Sequence, residues 1–362
     1  MAYLVSGNNL FGQWFPQKRI IDKFEATSQY TNNNKTNDIL QYATLVKICW
    51  SYNIFQRQQK IFTTGYCDDE KFTQYVFDNC QTDPADLLAT GNDSTLHILN
   101  VRTNQLWIKN FGEDPKIIDV VFKVTHFTKS KNLKIIKIVA TNTTIFFLTE
   151  GGDLFTEIPP NCVDTSHCKG KICDVVCGYG HYMLLTNAGF VYTWGSSLRL
   201  QLGHGDTEYV NKPKEIDALA GLQIFKIAAG GFHSIALSNC GDVYVWGSNE
   251  EGQLGIPQKE ISDDDNILKY SLPKLIDILD EKDIPIDTNV TDVACGSKHS
   301  VIKLEDNTIW ATGYNKYGQL GISPEKYPLI KQFRMITKCD FDFDLMCGNW
   351  CTVIKKRCKS NI

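Results

Sequence analysis

No run of eighteen apolar residues occurs anywhere in the 362-residue chain, so no transmembrane helix is expected. The opening Met1-Ala-Tyr-Leu-Val-Ser-Gly7 has no basic start and only a very short apolar run, so nothing there resembles a secretory signal. No block of five or six like charges accompanies the formal net charge of −4, which argues against bulk attraction to nucleic acid. Motifs for chemistry are missing as well: there is no Gly-x-Ser-x-Gly elbow, Walker loop, Rossmann fingerprint or His-Glu-x-x-His. No catalytic residue and no cofactor is expected. Export is also argued against by the thirteen cysteines. An odd count in a long chain reads better as reduced thiols in a nuclear or cytoplasmic protein than as a disulfide framework. The sequons at Asn92, Asn142 and Asn289 then carry no glycosylation meaning.

What the chain does have is a repeated phrase. Cys/Ala-Gly-x-x-His recurs with its glycine at Gly178, Gly230 and Gly296, and a variant, Cys-Gly-Asn-Trp-Cys, places Gly348. The intervals are 52, 66 and 52 residues. Fourteen residues after His181, His233 and His299 come Gly195, Gly247 and Gly313, and six further come Gln201, Gln253 and Gln319, each followed by Leu-Gly. A period of this size marks a propeller, solenoid or array. Short β-rich runs such as Ile224–Ala229, His233–Leu237 and Val243–Trp246, separated by turns like Asn239–Asp242, describe a propeller blade rather than a helical solenoid. The long middle interval holds an insertion of 14 residues between Gly255 and Pro273, containing Asp263, Asp264 and Asp265.

The last unit breaks off before its third strand. The missing piece lies at the other terminus, where Tyr3–Gln13 shows the same step from Gly7 to Gln13 and puts Asn9 where Asn249 and Asn315 sit. The N-terminal strand is therefore expected to complete the C-terminal blade, leaving no unpaired sheet edge at the seam. Three worn units occupy about 40–160: one around Val46–Phe55 and Lys60–Tyr66, one around Leu87–Ile108, one around Ile135–Phe155. Three worn, three clear and one shared unit make seven, and seven periods of 52 span 364 residues against 362 present. The expectation is an all-β, seven-bladed β-propeller as a single domain over 1–362, with clear repeats at 172–354 and the closing strand at 1–13.

The phrases Cys-Gly-x-x-His, Val-Tyr-x-Trp-Gly and Asn-x-x-Gly-Gln-Leu-Gly resemble the repeat of the regulator-of-chromosome-condensation propellers. The resemblance is specific at 172–255 and 290–321, good for the closure, and poor from about 60 to 160. It implies a seven-bladed propeller, often closed by the N-terminal strand. The layout is most similar to the small, stand-alone RCC-repeat members of the family. It implies a chromatin-linked protein partner, a JmjC-domain dioxygenase acting as histone demethylase or protein hydroxylase. The alternative that the family implies is guanine-nucleotide exchange on a small nuclear GTPase. The founding member's basic tail has no counterpart before the closing strand, which begins at Tyr3. Direct nucleic-acid binding and membrane association are not expected, and the propeller is expected to be monomeric.

His181, His233 and His299 invite a metal site, but recurrence in every clear repeat favours imidazoles that lock the neighbouring turn. The glycines Gly178, Gly195, Gly230, Gly247, Gly296, Gly313 and Gly348 are read as scaffold, and Trp194 and Trp246 as packing, since Thr312 stands at the third equivalent position. The cysteines of 162–177, with His167, match no Cys-x2-Cys zinc pair, and a loop of reduced thiols is the default reading. Partner contacts are expected where the period breaks: Glu157–Lys171 with Pro159 and Pro160, the acidic insertion with Asp263, Asp264 and Asp265, the stretch Asp277–Asp283, and the polar stretch Gln29–Asp38. The bland reading of each is a solvated loop.

Overall fold

The second strand of every clear repeat sets apolar residues at consecutive rather than alternating positions, and the structure shows why. His233–Ser238 and His299–Leu304 are buried at every position, because a strand inside a stack of sheets has no solvent face. In the computed structural model, residues 3–11, 13–15, 18–27, 43–58, 60–67, 70–76, 86–122, 128, 133–256 and 269–357 are described. They form seven four-stranded antiparallel sheets, and the chain is an all-β, seven-bladed β-propeller. Numbering starts from the blade that holds the first strand. The Gln29–Asp38 stretch and the insertion with Asp263, Asp264 and Asp265 lie outside the described residues.

The chain divides into two compact units. The first comprises Asn9–Arg19 and Thr27–His167 and contains three blades. Blade 2 is Thr44–Ile48, Tyr52–Arg57, Lys60–Cys67 and Glu70–Val76. Blade 3 is Leu87–Gly91, Thr95–Asn100, Gln105–Asn110 and Lys116–Asp119. Blade 4 is Ile135–Ala140, Ile145–Thr149, Leu154–Thr156 and the two-residue Asn161–Cys162. These are the three worn units of the sequence, each with the strand–turn–strand outline intact. Their apolar cores are built from adjacent blades: Tyr52 and Ile54 pack with Leu96 and Ile98, and Leu99 and Leu106 with Ile138 and Phe147.

The second unit comprises Tyr3–Asn8, Ile20–Ala26 and Cys168–Ile362. Blade 5 is Ile172–Cys177, His181–Thr186, Val191–Gly195 and Val210–Glu215. Blade 6 is Ile224–Ala229, His233–Ser238, Val243–Ser248 and Lys269–Ile276. Blade 7 is Val290–Cys295, His299–Leu304, Thr308–Tyr314 and Leu329–Lys338. Blade 1 takes Phe343–Gly348 and Cys351–Lys356 from one end of the sequence, and Tyr3–Asn8 and Ile20–Ala26 from the other. The N-terminal strand does join the C-terminal blade, and the outermost strand, Ile20–Ala26, comes from the N-terminal region too. Tyr3 pairs with Lys355 and Gly7 with Cys351.

A tight turn closes the third strand in several blades. Gly7, Gly65, Gly195, Gly247 and Gly313 all have φ between +99 and +114°, a region that favours glycine. A side chain there would also collide with the carbonyl of the preceding turn: Trp350, Ser51, Gly180, Phe232 and Lys298 respectively. The same carbonyls accept the amide that follows each glycine, at 2.8–2.9 Å.

Blade 1 rests on buried Tyr3, Val5 and Ile21, which the N-terminal segment supplies at about 1.5–3 kcal/mol each. Deleting residues 1–26 is expected to lower unfolding stability by about 5 kcal/mol or more and to promote association through the exposed Cys351–Lys356 edge. Urea denaturation and size-exclusion chromatography measure both.

Candidate functional site

The repeat's polar residues converge on backbone carbonyls at the blade boundaries. Within the second unit, the Gln201 carbonyl accepts from the Ser234 hydroxyl at 2.9 Å and from Trp246 Nε1 at 2.9 Å, both from the next blade. The Gln253 carbonyl accepts from Ser300 at 2.6 Å, and the Gln319 carbonyl from Thr352 at 2.7 Å. Ser6, at the Trp246 position of the closing strand, reaches the Gln319 carbonyl at 3.5 Å. The first unit repeats the motif with different residues, since the Gln13 carbonyl accepts from Thr64 at 2.7 Å and Asn53 at 3.5 Å.

The histidines join this arrangement from the other side. His181 Nε2 lies 3.1 Å from Ser234 Oγ, His233 Nε2 2.9 Å from Ser300 Oγ, and His299 Nε2 3.2 Å from Thr352 Oγ1. Each hydroxyl already donates its only proton to a glutamine carbonyl, so it must accept from the ring. That assigns the Nε2–H tautomer to all three. The Cε1–Nδ1 edge of each ring fills the place that a Cβ would take on Gly178, Gly230 or Gly296. These glycines are required by close approach. A carbonyl of the next blade (Gly230, Gly296 and Gly348 in turn) crowds the same spot. Backbone bonds run alongside: Tyr179 donates to Gly231 at 2.9 Å, Gly231 to Ser297 at 3.1 Å, and Ser297 to Asn349 at 2.9 Å.

The sequence reading placed each imidazole on its own turn; the geometry adds a bond to the following blade. No step in residue spacing shows which hydroxyl a ring will meet, although the serines after His233 and His299 were visible as part of the phrase. In the first unit the same turn position, marked by the Cys49-to-Tyr52 and Asn92-to-Thr95 backbone bonds, carries Tyr52 and Thr95. Tyr52 donates through its hydroxyl to the Thr95 carbonyl at 3.1 Å, and Asn92 Nδ2 donates to the Thr141 carbonyl at 2.8 Å. Blades without histidine therefore cross-link by other donors.

Burial sets the charge state of these groups. Desolvation pushes His181 down to about 4. Desolvation, with the neighbouring histidines, holds His233 at about 3, and desolvation alone takes His299 to about 3. All three are neutral at pH 7. Burial raises the Cys295 thiol to about 12 and Cys347 well above the usual thiol range, so neither is a thiolate nucleophile. Among the described residues, no three His, Cys, Asp or Glu side chains are placed to hold a metal. Trp246 is fully buried, and Trp194 is buried with its ring 5.3 Å from Tyr182. Pro159 is exposed and Pro160 buried in the turn between Leu154–Thr156 and Asn161–Cys162.

The repeat also presents side chains at positions where its residues vary. Arg199 lies over the Phe232 ring at 5.7 Å and pairs with Glu250. Tyr179 stands edge-on to Phe232 at 5.5 Å, with its hydroxyl 2.5 Å from Ser297 Oγ. Tyr314, Tyr317 and Trp350 form a triangle with centroids 5.6–6.1 Å apart, and Lys298 sits over Tyr314 while bonding Glu251 at 2.9 Å. In the first unit, Phe11 contacts Trp50 and Tyr66 at 5.3 and 6.4 Å. Sequence reasoning missed these groups, because they occupy the unconstrained positions of an otherwise regular phrase.

A glycine-tight turn, a His-to-hydroxyl bridge and a glutamine carbonyl shared between blades define a propeller of interlocked repeats. The sequence matches the regulator of chromosome condensation (RCC1) repeat at residues 188–237 and 240–302, and a second description of the same repeat at 226–253 and 290–319. The chain is a β-propeller that matches the RCC1 repeat over residues 188–319. It is 32% identical over 188 residues to mouse RCC1 domain-containing protein 1, covering 46% of this chain and 50% of that protein. The chain thus spans about half the length of that relative. Human WBSCR16 superimposes with a TM-score of 0.74 at 14% identity, covering 99% of this chain and 100% of the other. Prp20p from Saccharomyces cerevisiae gives 0.73 at 17% identity, covering 99% and 92%. At these identities the two structures establish the fold.

Removing the hydroxyl bridge by Ser234→Ala leaves the His181 Nε2–H buried without its acceptor. The expected loss is about 1–3 kcal/mol, read by urea denaturation. Acid should act through the same groups. Unfolded imidazoles titrate near 6.5 while the folded ones titrate near 3–4. Their contribution is therefore complete above 6.5 and is lost as the pH falls below it. Three such groups predict a loss of about 4 kcal/mol between pH 7.5 and 5.5, and stability curves at the two values test it.

Proposed function

We propose that this chain is a non-enzymatic propeller scaffold that binds a protein partner in chromatin-linked regulation, the partner being a JmjC-type histone demethylase or protein hydroxylase. The observation that carries the reading is the commitment of the repeat's reactive groups to structure. Each buried histidine of the clear repeats faces a hydroxyl, each of those hydroxyls donates to a glutamine carbonyl, and buried thiols such as Cys295 are held protonated. Chemistry spent on joining blades is not available for turnover. The varied positions carry partly exposed aromatic and charged side chains suited to protein contact. The similarity to RCC1 domain-containing protein 1 supports a place among RCC1-repeat regulators. No helix among the described residues is long and apolar enough to cross a membrane, and the proposed site of action is nuclear or cytoplasmic.

Pro159 and Pro160 remain proposed contact residues on the turn before Asn161–Cys162. A specific observation favours one second reading: Prp20p, which shares this fold, has binding properties toward Gsp1p and histones. Nucleotide exchange on a small nuclear GTPase is that reading. Affinity purification with the full chain from nuclear extract should recover a JmjC-domain protein in near-stoichiometric amount, and its absence would remove the proposal. A nucleotide-release assay on the GTPase should show no acceleration; acceleration would put the exchange reading first.

A further inference from the structure

We infer that the outer strands of blades 5, 6 and 7 form a docking surface for an acidic partner segment studded with apolar residues. Val210–Glu215 carries Lys212 and Lys214, Lys269–Ile276 carries Lys269 and Lys274, and Leu329–Lys338 carries Lys331, Arg334 and Lys338. Against these stands a single acid within the three strands, Glu215. The chain as a whole has a formal charge of −4, so the sign is reversed locally. The reversal is not a general property of outer strands. Ile20–Ala26 sets Lys23 against Asp22 and Glu25, and Lys116–Asp119 carries one charge of each sign.

Apolar side chains stand exposed among these cations. Leu272 is 51% exposed, Leu275 49% and Met335 45%, with Tyr209 at 66% immediately before the first strand. Leucine and methionine offer nothing for stacking bases, which a strand of nucleic acid would use, but they suit a protein segment with apolar residues of its own. The ion pairs of Arg334 and Lys338 are exchangeable. Glu281 reaches Arg334 at 3.1 Å and Asp306 reaches Lys338 at 3.4 Å, while Glu215 is held by Lys169 at 3.0 Å. Such part-exposed pairs contribute little, about 0–1 kcal/mol. Two of the strands contain proline, Pro213 and Pro273, which removes edge donors. Recognition is therefore by side chains and charge rather than by adding a strand.

This assignment rests on the scaffold reading and names the surface and the chemistry of its partner. The probe is a short fluorescein-labelled peptide alternating aspartate and leucine, followed by anisotropy on the full chain. It should bind, weaken with added salt, and lose about tenfold in affinity in a Lys212→Glu, Lys274→Glu, Lys331→Glu variant whose thermal midpoint stays close to the parent's. A Lys→Gln version of the triple variant separates charge reversal from loss of attraction and should fall between the two. Absence of peptide binding overturns the inference, as does binding that the triple variant leaves unchanged. An oligothymidylate of equal charge that binds as tightly, and is lost in the same variant, overturns it in favour of nucleic acid. In the nuclear-extract purification, a partner recovered equally by parent and variant sinks this surface and leaves the scaffold standing; recovery of no partner by the parent sinks the scaffold itself.

Discussion

A buried carbonyl that its own blade leaves short of donors is the constraint on which the clear repeats depend. The Gln-Leu-Gly turn tucks its glutamine carbonyl into a buried boundary, where an unpaired oxygen would cost about 1–3 kcal/mol. The next blade supplies the donor, Ser234, Ser300 or Thr352. That hydroxyl needs a donor in turn for its lone pair, and the histidine of the preceding blade provides it. Each bond makes sense only because the next one exists, so serine, histidine, glutamine and glycine recur together.

The fold was largely legible because this network leaves fixed offsets in the chain. Histidine three after a crowded glycine, a strand-closing glycine fourteen after the histidine, and glutamine six after that glycine are all steric or hydrogen-bond necessities. The closure was legible for the same reason: Gly7 adopts the φ of Gly195, Gly247 and Gly313, and Asn9 and Gln13 accept backbone amides of their own turn as Asn249 and Gln253 do. Blades 2 to 4 were harder to read because Tyr52 and Asn92 solve the same boundary as other donors, to the Thr95 and Thr141 carbonyls. A period in residue type disappears when the physical task is kept and the side chain changed.

The candidate contact surfaces were legible least. Searching where the period breaks pointed to Pro159 and Pro160 and to the acidic insertion. It passed over the aromatic triangle of Tyr314, Tyr317 and Trp350, and over the cations of the outer strands. Both sit inside regular repeats, at positions the scaffold does not restrict. An outer strand has one neighbour and open solvent on its far side, so its composition answers to solubility and partners rather than to packing.

The shared blade also governs when the molecule can assemble. Tyr3–Asn8 pairs locally with Ile20–Ala26, but its other neighbour is Cys351–Lys356, a pairing that spans nearly the whole chain, and loop closure of that length is slow relative to local hairpins. During synthesis the first two strands emerge long before Cys351–Lys356, while blades 2 to 7 are each made from strands close in sequence and can form as they leave the ribosome. Until then one edge of Tyr3–Asn8 stays unpaired, and Tyr3, Val5 and Ile21, all buried in the closed blade, lack part of their packing. Chaperone dependence in this chain should concentrate on that interval, which ends when Cys351–Lys356 has emerged.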